Sequence, residues 1–263
     1  MTIATMDQLV GGLANGQRIA WNKSNPGTGT SGVWMSLWKQ GGSPGAAATP
    51  PSAGEIPTNS TAGALPFTNP GSGSAYLAQC AMGMAAVGII TMYDRLWHNS
   101  GLSGTVTTSQ TINSAALTRP DANGNDVECW LEVNTATGST SRTASITYTD
   151  GVNGTGRTGS LTLPATPSAQ RMIPMTNQAG DYNVKSIQSV TLSGTTGTAG
   201  DFGFVLLRRI AEVPLLTGSS AVDRDAFGLG LPQIYNNACL ALFVMCSTTN
   251  QGPFTGMYSI AVG

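Results

Sequence analysis

Short segments of alternating apolar and polar residues recur through the second half of this chain. The clearest runs from Val127 to Val133, where apolar side chains alternate with Glu128, Trp130 and Glu132. A period of two is typical of a β-strand with one face in a core and the other toward solvent or a partner. The pattern therefore predicts a strand here, with Glu132 on its outward face.

Similar segments, separated by Gly, Pro, Asn and Asp, predict about nine strands. They are Ile89 to Trp97, Val127 to Val133, Ser141 to Thr149, Gly159 to Leu163, Arg171 to Met175, Val184 to Leu192, Phe202 to Ile210, Ala238 to Cys246 and Tyr258 to Val262. A phase shift at Ile187 predicts a β-bulge. Because helical periodicity is nearly absent after Ser100, we predict an all-β fold. Its body, residues 75–263, is expected to be an antiparallel, jelly-roll-like β-sandwich.

The first 74 residues have a different pattern. A short helix is indicated near residues 9–13. Ser24 to Ser74 then contains only two charged side chains and seven of the fourteen prolines. Fixing backbone costs roughly 1–2 kcal/mol per residue, and this segment offers little apolar area in return. We therefore predict that residues 1–74 form an extended N-terminal arm that lies on another surface.

Aromatic side chains are the expected anchors of this arm. Trp34, Trp38 and Phe67 supply its largest apolar areas, and aromatic residues often dominate interface energies. Val33 to Trp38 is also long enough to add a strand to a neighbouring sheet. We therefore predict that these three residues bind a partner.

One apolar stretch, Ala75 to Met92, approaches the length of a membrane-spanning helix. Gly83 and Gly88 interrupt it, and a strand-like pattern follows without basic flanking residues. A buried strand or packed linker is the favoured interpretation, and no membrane partner is expected.

Charge argues against nucleic acid as a partner. Charged residues are 10% of the chain, and 12 basic against 13 acidic side chains give a net charge of −1. Nucleic-acid-binding domains usually carry a basic stripe. The doublet Arg208-Arg209 is better explained as part of a strand.

Residues for catalysis or cofactor binding are sparse. The single histidine, His98, lies at a predicted strand end and is interpreted as a hydrogen-bonded turn residue. Cys80, Cys129, Cys239 and Cys246 have no metal-binding spacing and are expected to be buried thiols. Phosphate-binding glycine motifs are missing too. We therefore predict that the protein is not an enzyme and has no cofactor or metal.

One segment partly follows a calcium-binding loop. Asp121, Asn123 and Asn125 occupy ligand-like positions, and Glu132 is the twelfth residue. The sixth position, however, is Asp126 rather than the glycine that such loops require. A tight turn rich in Asn, Asp and Gly is the favoured interpretation, with a bound cation as the alternative.

Asp94 and Arg95 interrupt an otherwise apolar strand. Buried charges are costly unless they are paired. Either the strand lies at a rim or the two residues contact a neighbouring subunit, and we favour a structural role.

The run from Ile90 to Leu102 resembles a block found in tailed-bacteriophage virion proteins. Leu117 to Asp121, Ala179 to Asp181 and Gly200 to Gly203 resemble other parts of the same family. Several members resemble jelly-roll capsid decoration, or cement, proteins. The resemblance implies a virion protein that assembles in the host cytoplasm and is commonly oligomeric.

These observations predict a capsid decoration protein that bridges major capsid subunits, with self-association into a homo-oligomer, expected to be a trimer. A structural protein of the tail, neck or head fibre is the first alternative. A carbohydrate-binding module, with Trp97 and Trp130 as stacking platforms, is the second.

Overall fold

The computed structural model describes residues 3–27, 30–249 and 252–263. These residues form mostly antiparallel β-sheet, which confirms the predicted all-β class and is consistent with a jelly-roll-like β-sandwich. The elements in chain order are α1 (Met6–Ala14), β1 (Gln17–Lys23), β2 (Trp34–Ser36), β3 (Gly42–Ser43), β4 (Ala75–Met84), β5 (Gly88–His98), β6 (Gln110–Thr111), β7 (Val127–Thr135), β8 (Arg142–Asp150), β9 (Gly154–Leu163), β10 (Met172–Pro174), β11 (Val184–Leu192), β12 (Asp201–Leu215), β13 (Ser220–Arg224), α2 (Ala226–Leu229), β14 (Gln233–Ile234), β15 (Leu240–Cys246) and β16 (Phe254–Val262).

The chain divides into two compact units, each made of separate stretches of sequence. Unit 1 consists of Met1–Ala47, Thr58–Asp94 and Arg209–Gly263, and unit 2 of Ala48–Pro57 and Arg95–Arg208. Strands β5 and β12 contribute residues to both units. The unit boundaries do not follow the predicted division between an arm of residues 1–74 and a body of residues 75–263, which stays a prediction.

Unit 1 contains a sheet with the strand order β13-β4-β16-β1-β3. Strand β15 pairs with β5 and with β2, so the strand predicted within the arm does join a sheet of its own chain. Apolar side chains of β4 and β16 share one core with those of β15 and β5, because each strand turns one face inward. The stretch from Ala75 is strand, and no helix in the described ranges is long and apolar enough to cross a membrane.

Helix α1 forms although its sequence contains two adjacent glycines, Gly11 and Gly12. Thr5 and Gln8 make a capping box, in which each side chain binds the other's backbone N–H. Leu9 and Gly12 are buried, and a Cβ on Gly12 would lie 2.9 Å from the Val262 carbonyl oxygen. Close packing on β16 therefore accounts for that glycine.

In unit 2, β7 pairs with β10 and with part of β12. Strands β6, β11, β8 and β9 form a four-stranded sheet in that order. The predicted inward residues of β7 are all buried in its core. Register shifts on either side of Ile187 confirm the predicted bulge in β11. The hairpin of β8 and β9 turns at Asp150-Gly151, as the turn dipeptide indicates.

Candidate functional site

Ten residues of the predicted arm, Ala48–Pro57, belong to unit 2 and are fastened there. We call this segment the strap. The residues that hold it, Trp97, His98, Ser100 and Arg119, are named the clamp. All four clamp residues are buried, and they lie within the segments Ile90 to Leu102 and Leu117 to Asp121.

Hydrogen bonds to its backbone groups hold the strap at several points along its length. Glu55 N–H donates to the His98 carbonyl oxygen at 2.9 Å, and His98 N–H donates to the Glu55 carbonyl oxygen at 3.1 Å. The Ser100 hydroxyl donates to the Pro50 carbonyl oxygen at 2.5 Å, and Ser100 N–H donates to the Pro51 carbonyl oxygen at 3.3 Å. Because proline has no N–H, its carbonyl is the backbone group that can make such a contact.

His98 is a neutral hydrogen-bonding link between the strap and unit 2. Arg95 Nε donates to His98 Nδ1 at 2.6 Å, so the ring proton must sit on Nε2. Nε2 then donates to Glu55 Oε1, 2.9 Å away. Burial, and secondarily the charge of Arg95, lowers the pKa of His98 to about 2. The contact with Glu55 is therefore a hydrogen bond from a neutral ring and not an ion pair.

Arg95 and the clamp residue Arg119 make further buried contacts in unit 2. Arg95 is fully buried and pairs with Glu132, whose side chain is 3% exposed. Arg119 Nη2 donates to the Pro57 carbonyl oxygen at 2.7 Å and to the Arg95 carbonyl oxygen at 3.0 Å. Glu132 lies on the strand face opposite the inward set, as predicted, but the expectation that it is outward and open is wrong because Arg95 covers it.

Asp94 and Arg95 point into two different units. In unit 1, Asp94 Oδ1 accepts a hydrogen bond from Cys239 N–H at 2.9 Å. Both residues are 0% exposed. The rim alternative is therefore wrong, and these contacts are structural.

Trp97 and Trp130 are not open platforms for a sugar. Trp97 is 0% exposed and Trp130 is 6% exposed. Gly54 of the strap has a φ of +76°, and a Cβ there would lie 2.3 Å from Trp97 Cζ2. Only glycine fits this position, because the strap backbone lies directly against the indole ring.

The predicted anchors of the arm are mostly buried within the chain itself. Trp38 is 1% exposed, and Phe67, at 7%, belongs to the core of unit 1. Trp34 is half-buried in β2. Their role in binding a partner stays a prediction, and only Trp34 keeps appreciable surface for it.

The calcium-like segment is a turn closed by its own side chains. Asp121 Oδ1 accepts from Asn123 N–H at 2.7 Å, and Asp121 Oδ2 accepts from Asn125 Nδ2 at 2.6 Å. These hydrogen bonds lower the pKa of Asp121. Glu132, the twelfth position, contacts Arg95 instead of the turn. Among the described residues, no group of three or more His, Cys, Asp or Glu side chains could hold a metal ion.

A second polar cluster of unit 2 centres on Asp181. Its carboxylate accepts from Arg157 Nε and Nη2, both at 2.8 Å, and from the Tyr148 hydroxyl at 2.5 Å. Asn153 Nδ2 donates to the same group at 2.7 Å. The Arg157 guanidinium, followed by the Tyr148 and Asn153 hydrogen bonds, lowers the pKa of Asp181 to about 2. The cluster ties the loop before β11 to the hairpin of β8 and β9.

The segment Gly200 to Gly203 and the following Phe204 also make structural contacts. Asp201 Oδ1 accepts from Gly101 N–H at 2.7 Å, and Asn99 Oδ1 accepts from Phe204 N–H at 2.8 Å. A Cβ on Gly203 would lie 1.9 Å from the Asn99 carbonyl oxygen. These contacts join the chain after β5 to the start of β12 within unit 2.

Sequence patterns alone did not reveal the clamp. Glu55, Arg119 and Glu132 are far apart along the chain, and each reaches its own partner around Arg95 and His98 only through tertiary pairing. Two signals pointed toward it: charged residues in an apolar strand, and an isolated glutamate in a nearly uncharged arm. All four cysteines are buried free thiols, as expected.

Comparisons with known proteins give no family. No family model matches the chain, and no curated protein matches it. Among solved structures, the family 11 carbohydrate-binding module of a Clostridium thermocellum cellulosomal cellulase matches at 11% identity with a TM-score of 0.22, covering 62% of this chain and 96% of that one. Infectious bursal disease virus, Gt strain, matches at 8% identity with a TM-score of 0.20, covering 94% and 81%. The VP2 subviral particle of that virus matches at 8% identity with a TM-score of 0.18, covering 94% and 80%. Similarity this weak assigns neither fold nor function.

Proposed function

We propose that this protein is a non-enzymatic structural protein of a tailed-bacteriophage virion that decorates the head by binding major capsid subunits. In this proposal it assembles in the host cytoplasm. Several copies, three at each site, bridge neighbouring capsid subunits. The resemblance of Ile90 to Leu102, and of the three shorter segments, to virion proteins supports it.

The strap is the observation that carries this proposal. Four of its exposed residues, Ala48, Thr49, Ser52 and Ala53, are small and uncharged. Glu55 adds one partly exposed carboxylate. Its inward side is fixed by the clamp. A surface that is already ordered loses little conformational entropy on binding, and small side chains let another backbone approach closely. The strap therefore suits a docking surface for a neighbouring subunit.

Location in the particle is the first test. Virions of a phage that carries this gene are separated into heads and tails, and the chain is detected with an antibody. We expect it in the head fraction. Its recovery only with tails would contradict the decoration role and favour the tail, neck or fibre alternative.

Binding by matched variants is the second test. Ala53→Glu places a charge on the outward side of the strap, and Ala116→Glu places one at another exposed alanine of unit 2. Heads lacking the protein are mixed with each variant, and bound protein is measured after sedimentation. We expect at least tenfold weaker binding for Ala53→Glu and unchanged binding for Ala116→Glu. Equal binding of the two variants would exclude the strap as the docking surface.

A further inference from the structure

Helix α1 carries an apolar face that points away from its own core. Leu9 and Gly12 face inward, whereas Met6, Val10 and Leu13 are 54%, 60% and 42% exposed. Residues four apart lie on one side of a helix. Met6, Val10 and Ala14 therefore form one line, with Leu13 beside it. We call these four residues the outer stripe.

Helix α2 extends this apolar surface. Phe227 is 76% exposed, although a ring of its size usually contributes strongly to packing. Between the two helices lies a cavity of about 150 Å³. Its lining includes the apolar residues Ile3, Met6, Leu9, Ala226, Phe227 and Leu231. The surface is thus an apolar ridge with a hollow at the Met6 end.

The size of this surface matches the apolar part of a stable interface. With side chains of roughly 100–200 Å² each, the exposed fractions of Met6, Val10, Leu13 and Phe227 leave on the order of 400 Å² of apolar area. A standard interface buries about 800 Å² on each partner, a little over half of it apolar. The ridge could supply most of the apolar core of such an interface.

We propose that the outer stripe and Phe227 form a two-fold contact between two copies of this chain. The shape of the stripe favours an antiparallel pairing of α1 with its copy. Val10 lies at the centre, with the large Met6 on one side and the small Ala14 on the other. A two-fold axis at Val10 sets Met6 against Ala14 of the second copy, so a large side chain meets a small one. It also brings Leu13 of the second copy toward the hollow near Met6.

The charges of α1 permit this pairing. The helix has no basic residue in its last turn, and its acidic residue in the first turn is Asp7. Asp7 lies to the side of the outer stripe. In the antiparallel arrangement the two Asp7 side chains are at opposite ends, about 9 Å apart along the helix axis at 1.5 Å per residue. Within α1, a contact between two copies therefore does not oppose like charges. It does not depend on the virion role, and as a two-fold contact it is separate from the three-fold clustering proposed for the head.

Sedimentation equilibrium of the full chain tests the contact. Val10→Glu places a charge at the centre of the stripe, whereas Val152→Glu alters a valine that is 78% exposed in a turn of unit 2. We expect wild-type protein to dimerise, Val10→Glu to raise the dimer dissociation constant at least tenfold, and Val152→Glu to leave it unchanged. Circular dichroism checks that both variants are folded. A wild-type monomer at all concentrations, or equal behaviour of the two variants, would overturn the proposal.

Cysteine cross-linking tests the antiparallel register, since the four native thiols are buried. A Val10→Cys chain should cross-link to itself under mild oxidation. Met6→Cys alone should not, but a mixture of Met6→Cys and Ala14→Cys chains should. Self-cross-linking of Met6→Cys as efficient as that of Val10→Cys would contradict the two-fold pairing.

Discussion

His98 shows how much one buried side chain depends on its surroundings. As the single histidine of the chain, it is the group that would normally titrate near neutral pH. Arg95 occupies its Nδ1 and burial disfavours the charged ring, so the folded protein keeps it neutral down to a pKa of about 2.

This neutral histidine makes stability depend on pH. Between its ordinary pKa of about 6.5 and its folded value, the unfolded chain binds a proton that the folded chain does not, so stability falls as the pH falls. We expect the free energy of unfolding to drop by about 2 kcal/mol between pH 7 and pH 5. Urea unfolding at several pH values measures the drop.

A His98→Gln variant is the control for that measurement. It should be less stable at pH 7 because it loses the links to Arg95 and Glu55, yet nearly independent of pH over the same interval. If the free energy of unfolding of the wild-type protein does not change between pH 7 and pH 5, His98 can accept a proton in the folded protein.

At the residue scale, the sequence predicted the kind of role but not the partners. An isolated histidine at a strand end suggested a hydrogen-bonded residue, and that is what the structure contains. Glu55 lies far from His98 in sequence, so no local pattern could pair them. The requirement for Gly54 was equally hidden, since it arises from the ring of Trp97.

Strand β7 illustrates what alternation determines at the element scale. The inward set Val127, Cys129, Leu131 and Val133 was correctly predicted, because a period of two fixes which side chains share a face. It does not fix what covers the opposite face. Trp130 and Glu132 on that face are buried as well, through packing that alternation cannot reveal.

The pairing of Glu132 with Arg95 gives a prediction for this strand. Glu132→Leu leaves the Arg95 charge buried without its carboxylate, and breaking such a pair typically costs about 3–5 kcal/mol. Chemical unfolding should show this loss. Glu128→Leu, on the same strand but half-buried, should cost clearly less. If the two variants lose the same stability, the ion pair has no special role in unit 2.

At the scale of the whole molecule, composition predicted a weakly charged N-terminal segment with little regular structure. It did not predict that this segment completes the cores of its own chain. Met35, Leu37, Leu65 and Phe67 all lie in the core of unit 1. Such residues appear sparse in sequence, yet long-range packing brings them together with strands from the other end of the chain.

Deleting residues 24–74 is therefore expected to prevent folding, although the arm and body division predicts a folded remainder. Each of those four buried side chains contributes roughly 1.5–3 kcal/mol, and together they approach the 5–15 kcal/mol that stabilises a typical domain. Near-ultraviolet circular dichroism and thermal unfolding of the chain that lacks residues 24–74, compared with the full chain, measure this. A cooperative unfolding transition in the shortened chain would show that the body folds without the arm.

The interrupted course of the chain through its two units has a consequence for biosynthesis. All parts of unit 2 have been made once Arg208 is synthesised, and the strap precedes its clamp. Unit 1 must wait for β16, since Gln17 of β1 pairs with Ile260. Domains tend to fold as units during synthesis, and contacts between distant residues form slowly. On the ribosome, unit 1, which contains most of the N-terminal residues, is therefore the last unit that can complete its fold.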